Sequence, residues 1–313
     1  MAVARYWVGL GVGLLACASV AAKPSAPKAA PTISPSPSAS IAPTALLIDE
    51  DGKAHPLNLG ALPLTPSGEA HRLDVSYRIG IAGFTLASIN FKAIFDRGHY
   101  VVASIIATKG IAAFFSESSV QALATGELLG KSLLPRTYNS DVGDGKKRQL
   151  VGLRFGEKGP LGVESQPPYD TRFPIPDEMK SSALDPLSGV ASLMVGAAAN
   201  PETPCATNVP VYDGRRRYDL RMSFDKMENL KSSGKGSYSG AALHCVAQYV
   251  RVAGFKPPKS GRKATVYPPV DVWLAPMDGG AIYVPVRMEM PSDFGSFILK
   301  PTQLSVSGPG KAG

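Results

Sequence analysis

The sequence predicts a mainly-β domain with one short helix packed on the concave face of a sheet, and three observations carry that prediction. Apolar and polar residues alternate with a period of two through most of the chain, the pattern of strands with one buried face. Glycine and proline, 32 and 28 of 313 residues, punctuate the ends of those runs and mark turns. Only one segment, beginning Asp185-Pro186-Leu187-Ser188, carries the start signals of a helix.

The N-terminus comes first in the chain and sets the compartment. Residues 1–22 read as an export signal: Arg5, an apolar run from Trp7 to Val20, and small residues at Val20 and Ala22 before a cut ahead of Lys23. The run is shorter than the roughly 20 apolar residues that a membrane span requires. A rival reading takes Leu14-Leu15-Ala16-Cys17 as a lipoprotein signal, with Cys17 the acylated first residue. The free periplasmic form is preferred because Leu15 is not the small residue usual before the alanine. Membrane association is then expected only if Cys17 is lipidated. Residues 23–44 are a Pro/Ala/Ser-rich tract without apolar periodicity, expected to be a disordered linker, and 45–71 an irregular lead-in.

Residues 72–299 make up the β-rich domain. Leu73 to Ile79 alternates cleanly, and Phe84 to Phe95 and His99 to Thr108 form a hairpin across Asp96-Arg97-Gly98. Further strands are expected at Val120 to Leu128, Ser132 to Asn139, Lys147 to Phe155 and Leu161 to Ser165. Asp185 then caps a helix with Pro186 at its first position, and Leu187, Val190, Ala191 and Met194 form an apolar stripe. Val209 to Tyr212 turns through Asp213-Gly214 into Arg217 to Phe224. Tyr238 to Phe255 is a long strand, and Val270 to Ala275 with Ile282 to Met290 form a last hairpin. Residues 300–313, rich in Gly, Ser and Lys, are expected to be a flexible tail.

Export changes the meaning of the cysteines. With Cys17 removed or acylated, Cys205 and Cys245 remain, and in an oxidising compartment two thiols most simply form one disulfide. A metal or redox pair is disfavoured, because His55, His71, His99 and His244 show no ligand rhythm and there is no Cys-x-x-Cys. The formal charge is +8. In an exported protein this points away from nucleic acid and toward anionic headgroups or acidic glycans. Basic clusters fall at Lys146-Lys147-Arg148, at Arg215-Arg216-Arg217 and around Lys256, Lys259, Arg262 and Lys263. The Arg215 to Arg217 cluster reads either as a solvated hairpin end or as the rim of an anionic-ligand site.

The segments Asp185-Pro186-Leu187-Ser188, Val211-Tyr212-Asp213-Gly214-Arg215-Arg216-Arg217-Tyr218, Cys245-Val246-Ala247-Gln248-Tyr249 with Ala253-Gly254-Phe255, and Trp273-Leu274-Ala275-Pro276 together resemble the bacterial family called domain of unknown function 3108. The resemblance runs from about Arg72 to Leu299 and rests on the order of these segments. It implies an exported envelope protein, similar in outline to the lipoprotein-carrier type of curved antiparallel sheet or half-open barrel with a helix inside. It transfers no catalytic residue.

Motifs that could carry chemistry each have a plainer reading. Gly126-Glu127-Leu128-Leu129-Gly130-Lys131-Ser132 has three residues between its glycines where a phosphate loop needs four, and Pro135 bars the helix that should follow. Ser188 lacks a nucleophile elbow and belongs to a helix start. Asp141, Asp144, Asp177 and Glu178 sit in turn-like contexts, and the 141–145 segment lacks the ligand alternation of a calcium loop. No catalytic residue, metal or cofactor is therefore expected.

Aromatic side chains at Phe84, Phe91, Phe95, Phe114, Phe115, Phe155, Tyr249, Trp273 and Phe297 either make the core or line a cavity for an acyl chain. Ile111 to Phe115 is a candidate lid or membrane-touching loop. The leading expectation is a non-enzymatic envelope protein that binds a hydrophobic or amphiphilic ligand, a lipid for instance, or assists envelope biogenesis beside an envelope protein. The alternatives are a hydrolase of envelope glycans or lipids, and a structural or protein-interaction module.

Overall fold

A computed structural model describes residues 62–309 apart from 65, 111, 114–117, 145–146, 170–171, 197–199, 201, 233, 235–236, 259, 261–265 and 294, with the backbone of Leu46–Ile48 and Ala54–Pro56 in addition. The expected signal 1–22, Cys17 and linker 23–44 lie outside the described residues, as do Phe114 and Phe115.

Two three-residue strands, β1 (Leu46–Ile48) and β2 (Ala54–Pro56), pair with each other, and β1 lies against the main sheet. The lead-in therefore holds a small hairpin where irregular chain was expected. Leu62 and Leu64 pack on Val101, Ala103 and Leu123, so the end of the lead-in also covers an apolar patch of the sheet.

The main strands are β3 (His71–Ile81), β4 (Phe84–Asp96), β5 (His99–Thr108), β6 (Ser119–Leu129), β7 (Ser132–Gly143), β8 (Arg148–Gly156) and β9 (Gly159–Gln166), then β10 (Thr207–Tyr212), β11 (Arg217–Leu230), β12 (Gly240–Ala253), β13 (Val270–Met277), β14 (Ile282–Ser292) and β15 (Gly295–Ser307). A four-residue helix α1 (Asp177–Lys180) and the helix α2 (Pro186–Gly196) connect β9 to β10. All neighbouring strands are antiparallel in one 13-stranded sheet of order β10-β11-β12-β13-β14-β15-β3-β4-β5-β6-β7-β8-β9. The sheet is open, and the two halves of the chain are one continuous surface because β15 pairs with β3.

That pairing corrects the flexible tail expected at 300–313. Residues through Ser307 are strand, with Lys300 opposite Arg78 and Ser307 opposite Arg72. The segment is too polar to announce itself locally, and β3 supplies its order by hydrogen bonds from more than 200 residues away. Pro301 is accommodated beside a register shift before Gln303, where a missing N–H costs a strand least. The β13–β14 hairpin is accordingly not the last one.

α2 shows how strongly the sheet curls. It packs on β5, β6 and β7 and also on β10 and β14, strands from both sides of the β15–β3 pairing, so the sheet bends around it. The concave face is filled by the protein itself: Leu187, Val190, Ala191 and Met194 join Phe91, Phe95, Tyr100, Leu153, Phe155 and Val284 in one buried cluster. An 11-residue helix is too short to persist alone in water. Each large side chain it buries contributes about 1.5–3 kcal/mol, which replaces the missing intrinsic stability. Gly189 lets the helix approach β10, since a Cβ there would lie 2.9 Å from a Val211 methyl.

β9 and β10, the two ends of the order, are bridged by the chain between them. The Leu184 N–H donates to the Pro210 carbonyl at 2.9 Å and the Tyr212 N–H to the Leu184 carbonyl at 2.8 Å. On the other side, Gly159 at the start of β9 lies against the 180–182 backbone. Behind α2, Cys205 and Cys245 are bonded at 2.02 Å and buried in an apolar cluster with Met222, Leu243 and Leu274, tying the segment after the helix to β12.

Candidate functional site

The β10–β11 connection is a four-residue turn, not the two-residue turn expected at Asp213-Gly214, because Tyr212 pairs with Arg217. The reason is a side-chain bond that the dipeptide rule omits. Asp213 Oδ1 accepts the backbone N–H groups of Arg215 and Arg216 at 2.9 and 2.6 Å, an aspartate-closed turn. Gly214, at φ +92°, is wedged where a Cβ would lie 3.1 to 3.3 Å from Val151, Leu153 and Tyr169. Burial pushes the Asp213 carboxyl up, opposed first by the Arg216 guanidinium and then by the two N–H groups.

This turn distributes the three arginines. Arg215 lies over the Tyr169 ring at 5.8 Å and Arg216 over the Phe255 ring at 5.5 Å. Arg217 turns away: its Nε donates to the Met179 carbonyl at 3.0 Å and its Nη1 pairs with Asp219 at 2.5 Å. With its side chain only 12% exposed, Arg217 straps α1 to β11 and stands apart from Arg215 and Arg216. Arg215 and Arg216 are half-buried rather than a solvated hairpin end.

Arg251, not singled out in the sequence, completes the group. It faces Tyr218 across β11 and β12 and lies over Phe255 at 4.3 Å. Tyr218 stacks on Tyr249 at 4.5 Å, and Tyr249 meets Phe255 and Tyr267 edge-on at 6.4 and 5.2 Å. Gly254 makes this possible, since its positive φ reverses the chain after β12 beside the Arg215 carbonyl. Inward, the rings continue into Val209, Val211, Leu220 and Leu193 of α2. The alternation of β12 contained the signal for Arg251, but only the turn after it brings Phe255 back over the strand. Lys259, Arg262 and Lys263 of the basic cluster lie outside the described residues.

A second constellation is wholly buried. Asp185 Oδ1 accepts the Leu187 and Ser188 N–H groups at 2.9 and 3.0 Å, and the Ser188 hydroxyl donates to Oδ2. Tyr100 of β5 and Ser188 are 2.6 Å apart. Burial raises the Asp185 pKa from 3.8 to about 6, with the Ser188 hydroxyl and the capping N–H groups pulling the other way. Burial also raises the Tyr100 phenol. Asp185 and Ser188 are 0% exposed, and this network caps α2 and ties it to β5.

The other motifs resolve as architecture. Gly126 sits in β6, where a Cβ would meet the Leu134 carbonyl and the Tyr100 ring, so the near-phosphate loop is a strand and its turn. Asp141 is not in a turn but buried in β7, paired with Arg148 at 2.6 Å. Asp177 binds Lys180 at 2.6 Å. On the opposite face of the sheet from Cys245, His244 lies between Asp225 and Asp271 at 2.8 and 3.0 Å and stacks on Trp273 at 4.5 Å. Trp273 donates to Glu228 at 3.0 Å. Trp273 therefore belongs to a cluster apart from the main core, and Phe84 is 57% exposed, neither lining a concave cavity.

The family described as "Protein of unknown function (DUF3108)" matches residues 73–300. The chain belongs to this family. Within the DUF3108 chain that span runs from β3 into β15 and includes the arginine–aromatic group, the disulfide and α2. The protein is similar to a solved structure described as a beta-barrel-like protein of domain of unknown function DUF1849 from Brucella abortus, at 11% identity and a TM-score of 0.45, over 76% of this chain and 98% of that one. No curated protein matches the sequence.

Proposed function

We propose that this DUF3108 protein is a non-enzymatic module of the cell envelope that binds an anionic amphiphile at its arginine–aromatic end. One observation carries the reading: the guanidinium groups of Arg216 and Arg251 lie over the same Phe255 ring, beside Tyr249 and Tyr267. Two guanidinium cations gathered at one ring attract an anion, and the rings give an apolar chain a surface. Because α2 occupies the concave face, the apolar part of the ligand lies along these rings and not between the halves of the sheet. Export is supported by the signal reading of residues 1–22 and by the buried Cys205–Cys245 bond, a bond typical of oxidising compartments. The free periplasmic form and the form lipidated at Cys17 are separated by membrane fractionation of wild type against Cys17→Ser.

Titration calorimetry with dodecyl phosphate below its micelle concentration tests the site, with dodecanol as the uncharged control. Replacing Arg216 and Arg251 together by Ser should weaken binding at least about tenfold, as expected on losing charge-assisted hydrogen bonds. Equal affinity in wild type and variant, or no binding by the wild type, would reject the reading.

A further inference from the structure

The hairpins of the β4–β9 part of the sheet carry a different surface. Neighbouring strands run in opposite directions, so the turns β4–β5, β6–β7 and β8–β9 all fall along one edge of that part of the sheet. Each is a two-residue turn: Arg97-Gly98, Gly130-Lys131 and Glu157-Lys158. They lie side by side, spaced by two strands or about 10 Å, and the first two touch, since the Leu128 N–H donates to the Gly98 carbonyl at 2.7 Å.

Leucines project from these tips. Leu129 is 60% exposed, Leu134 39% and Leu161 77%. The alternation of β7 buries Leu133 and Pro135, so Leu134 points the other way, out of the core. The turns interleave these leucines with exposed Arg97, Lys131 and Lys158 against one acid, Glu157. Nearby carboxylates are engaged: Asp96 accepts from Ser67, Glu127 pairs with Arg136, and Glu164 with Arg154.

We infer that the three hairpin tips at Arg97-Gly98, Leu129 to Leu134 and Glu157 to Leu161 form a docking surface for an anionic lipid bilayer, independent of any acylation at Cys17. Two features select a bilayer over a folded partner. Leu129 and Leu134 stand on the β6–β7 hairpin and Leu161 on the β8–β9 hairpin, and exposed leucines beside tight turns suit insertion by about 5–10 Å into a headgroup layer. Arg97, Lys131 and Lys158 are exposed in the same three turns, where an anionic leaflet attracts each one.

The test uses the exported chain, its N-terminus checked by mass spectrometry, in co-sedimentation with vesicles of phosphatidylcholine alone or with about one third phosphatidylglycerol. Wild type should sediment with the anionic vesicles, and the bound fraction should fall as salt rises. Leu129→Ser with Leu161→Ser should lower the partition coefficient about tenfold or more, and Lys131→Ser with Lys158→Ser by about fivefold per residue. Both pairs should leave the thermal midpoint within a degree or two, because the side chains are exposed. An environment-sensitive dye at position 161 should shift to the blue on anionic vesicles, including where an N-terminal anchor holds the chain to them. Unchanged partition of both variants together with an unshifted dye overturns the inference. So does loss of a co-purifying envelope protein in the Leu variant while wild type ignores vesicles, which would make the surface a protein contact. Neither result depends on Arg216 or Arg251.

Discussion

Replacing Asp185 by Asn should remove a pH dependence from the stability of the whole domain. Asp185 is fully buried at the start of α2, and its folded pKa stands at about 6 against an ordinary 3.8. The folded state therefore holds a proton on this group that the unfolded chain has lost between about pH 4 and 6. By linkage, its contribution is fully present below about pH 4 and is lost as pH rises through 6. A rise of about two pH units at roughly 1.4 kcal/mol each gives a loss of about 3 kcal/mol. Asn keeps an oxygen for the Leu187 and Ser188 N–H groups and does not titrate. Urea unfolding of wild type and Asp185→Asn from pH 3.5 to 7.5 isolates the effect, since every other group is common to both. The wild-type stability minus that of the variant should fall by about 3 kcal/mol across this range and then level off. A difference flat to within about 0.5 kcal/mol, or one that grows with pH, would refute the buried-carboxylate argument.

Two further outcomes follow from the fold. Replacing Cys205 and Cys245 together by Ala should cost about 4 kcal/mol in urea unfolding under oxidising conditions, from the entropy released in a loop of sequence separation 40; a loss below about 1 kcal/mol would mean that the unfolded chain is not constrained by this link. Gly254→Ala places a methyl 2.2 Å from the Arg215 carbonyl at φ +78°, so it should destabilise the domain by about 2 kcal/mol or more. It should also weaken dodecyl phosphate binding, because the turn that returns Phe255 over Arg251 is displaced; calorimetry showing wild-type affinity would separate the turn from the site.

Much of the fold was legible because its signals are local. The period-two runs marked β3 to β14, most of them to within a few residues although β11 runs on past Phe224 to Leu230, and Asp185-Pro186 marked the start of α2 at its observed position. β15 was not legible: Lys300 to Ser307 is polar and interrupted by Pro301, and its pairing partner β3 lies at the other end of the domain. The candidate site was half legible. Arg215 and Arg216 stood out as a charge run, whereas Arg251 and Phe255 became relevant only when the Gly254 reversal set them together. Arg217 shows the converse, since adjacency in sequence did not reveal its separate bond to Asp219. The exposure of the leucines at the hairpin tips was not legible, because exposure is a property of packing and not of sequence spacing.

The strand class and the start of α2 were legible in the sequence, because periodicity and capping act within a few residues, and the Cys205–Cys245 pairing followed from it only together with the expectation that Cys17 is removed or acylated. Tertiary structure alone decided that the strands form one open sheet joined by β15 and β3. It also decided that α2 fills the concave face, and that cations gather with aromatic rings beside the β10–β11 turn and with leucines at other hairpin tips. These depend on contacts between residues far apart in the chain, and no local pattern encodes which distant strand will supply the missing hydrogen bonds or cover the exposed face.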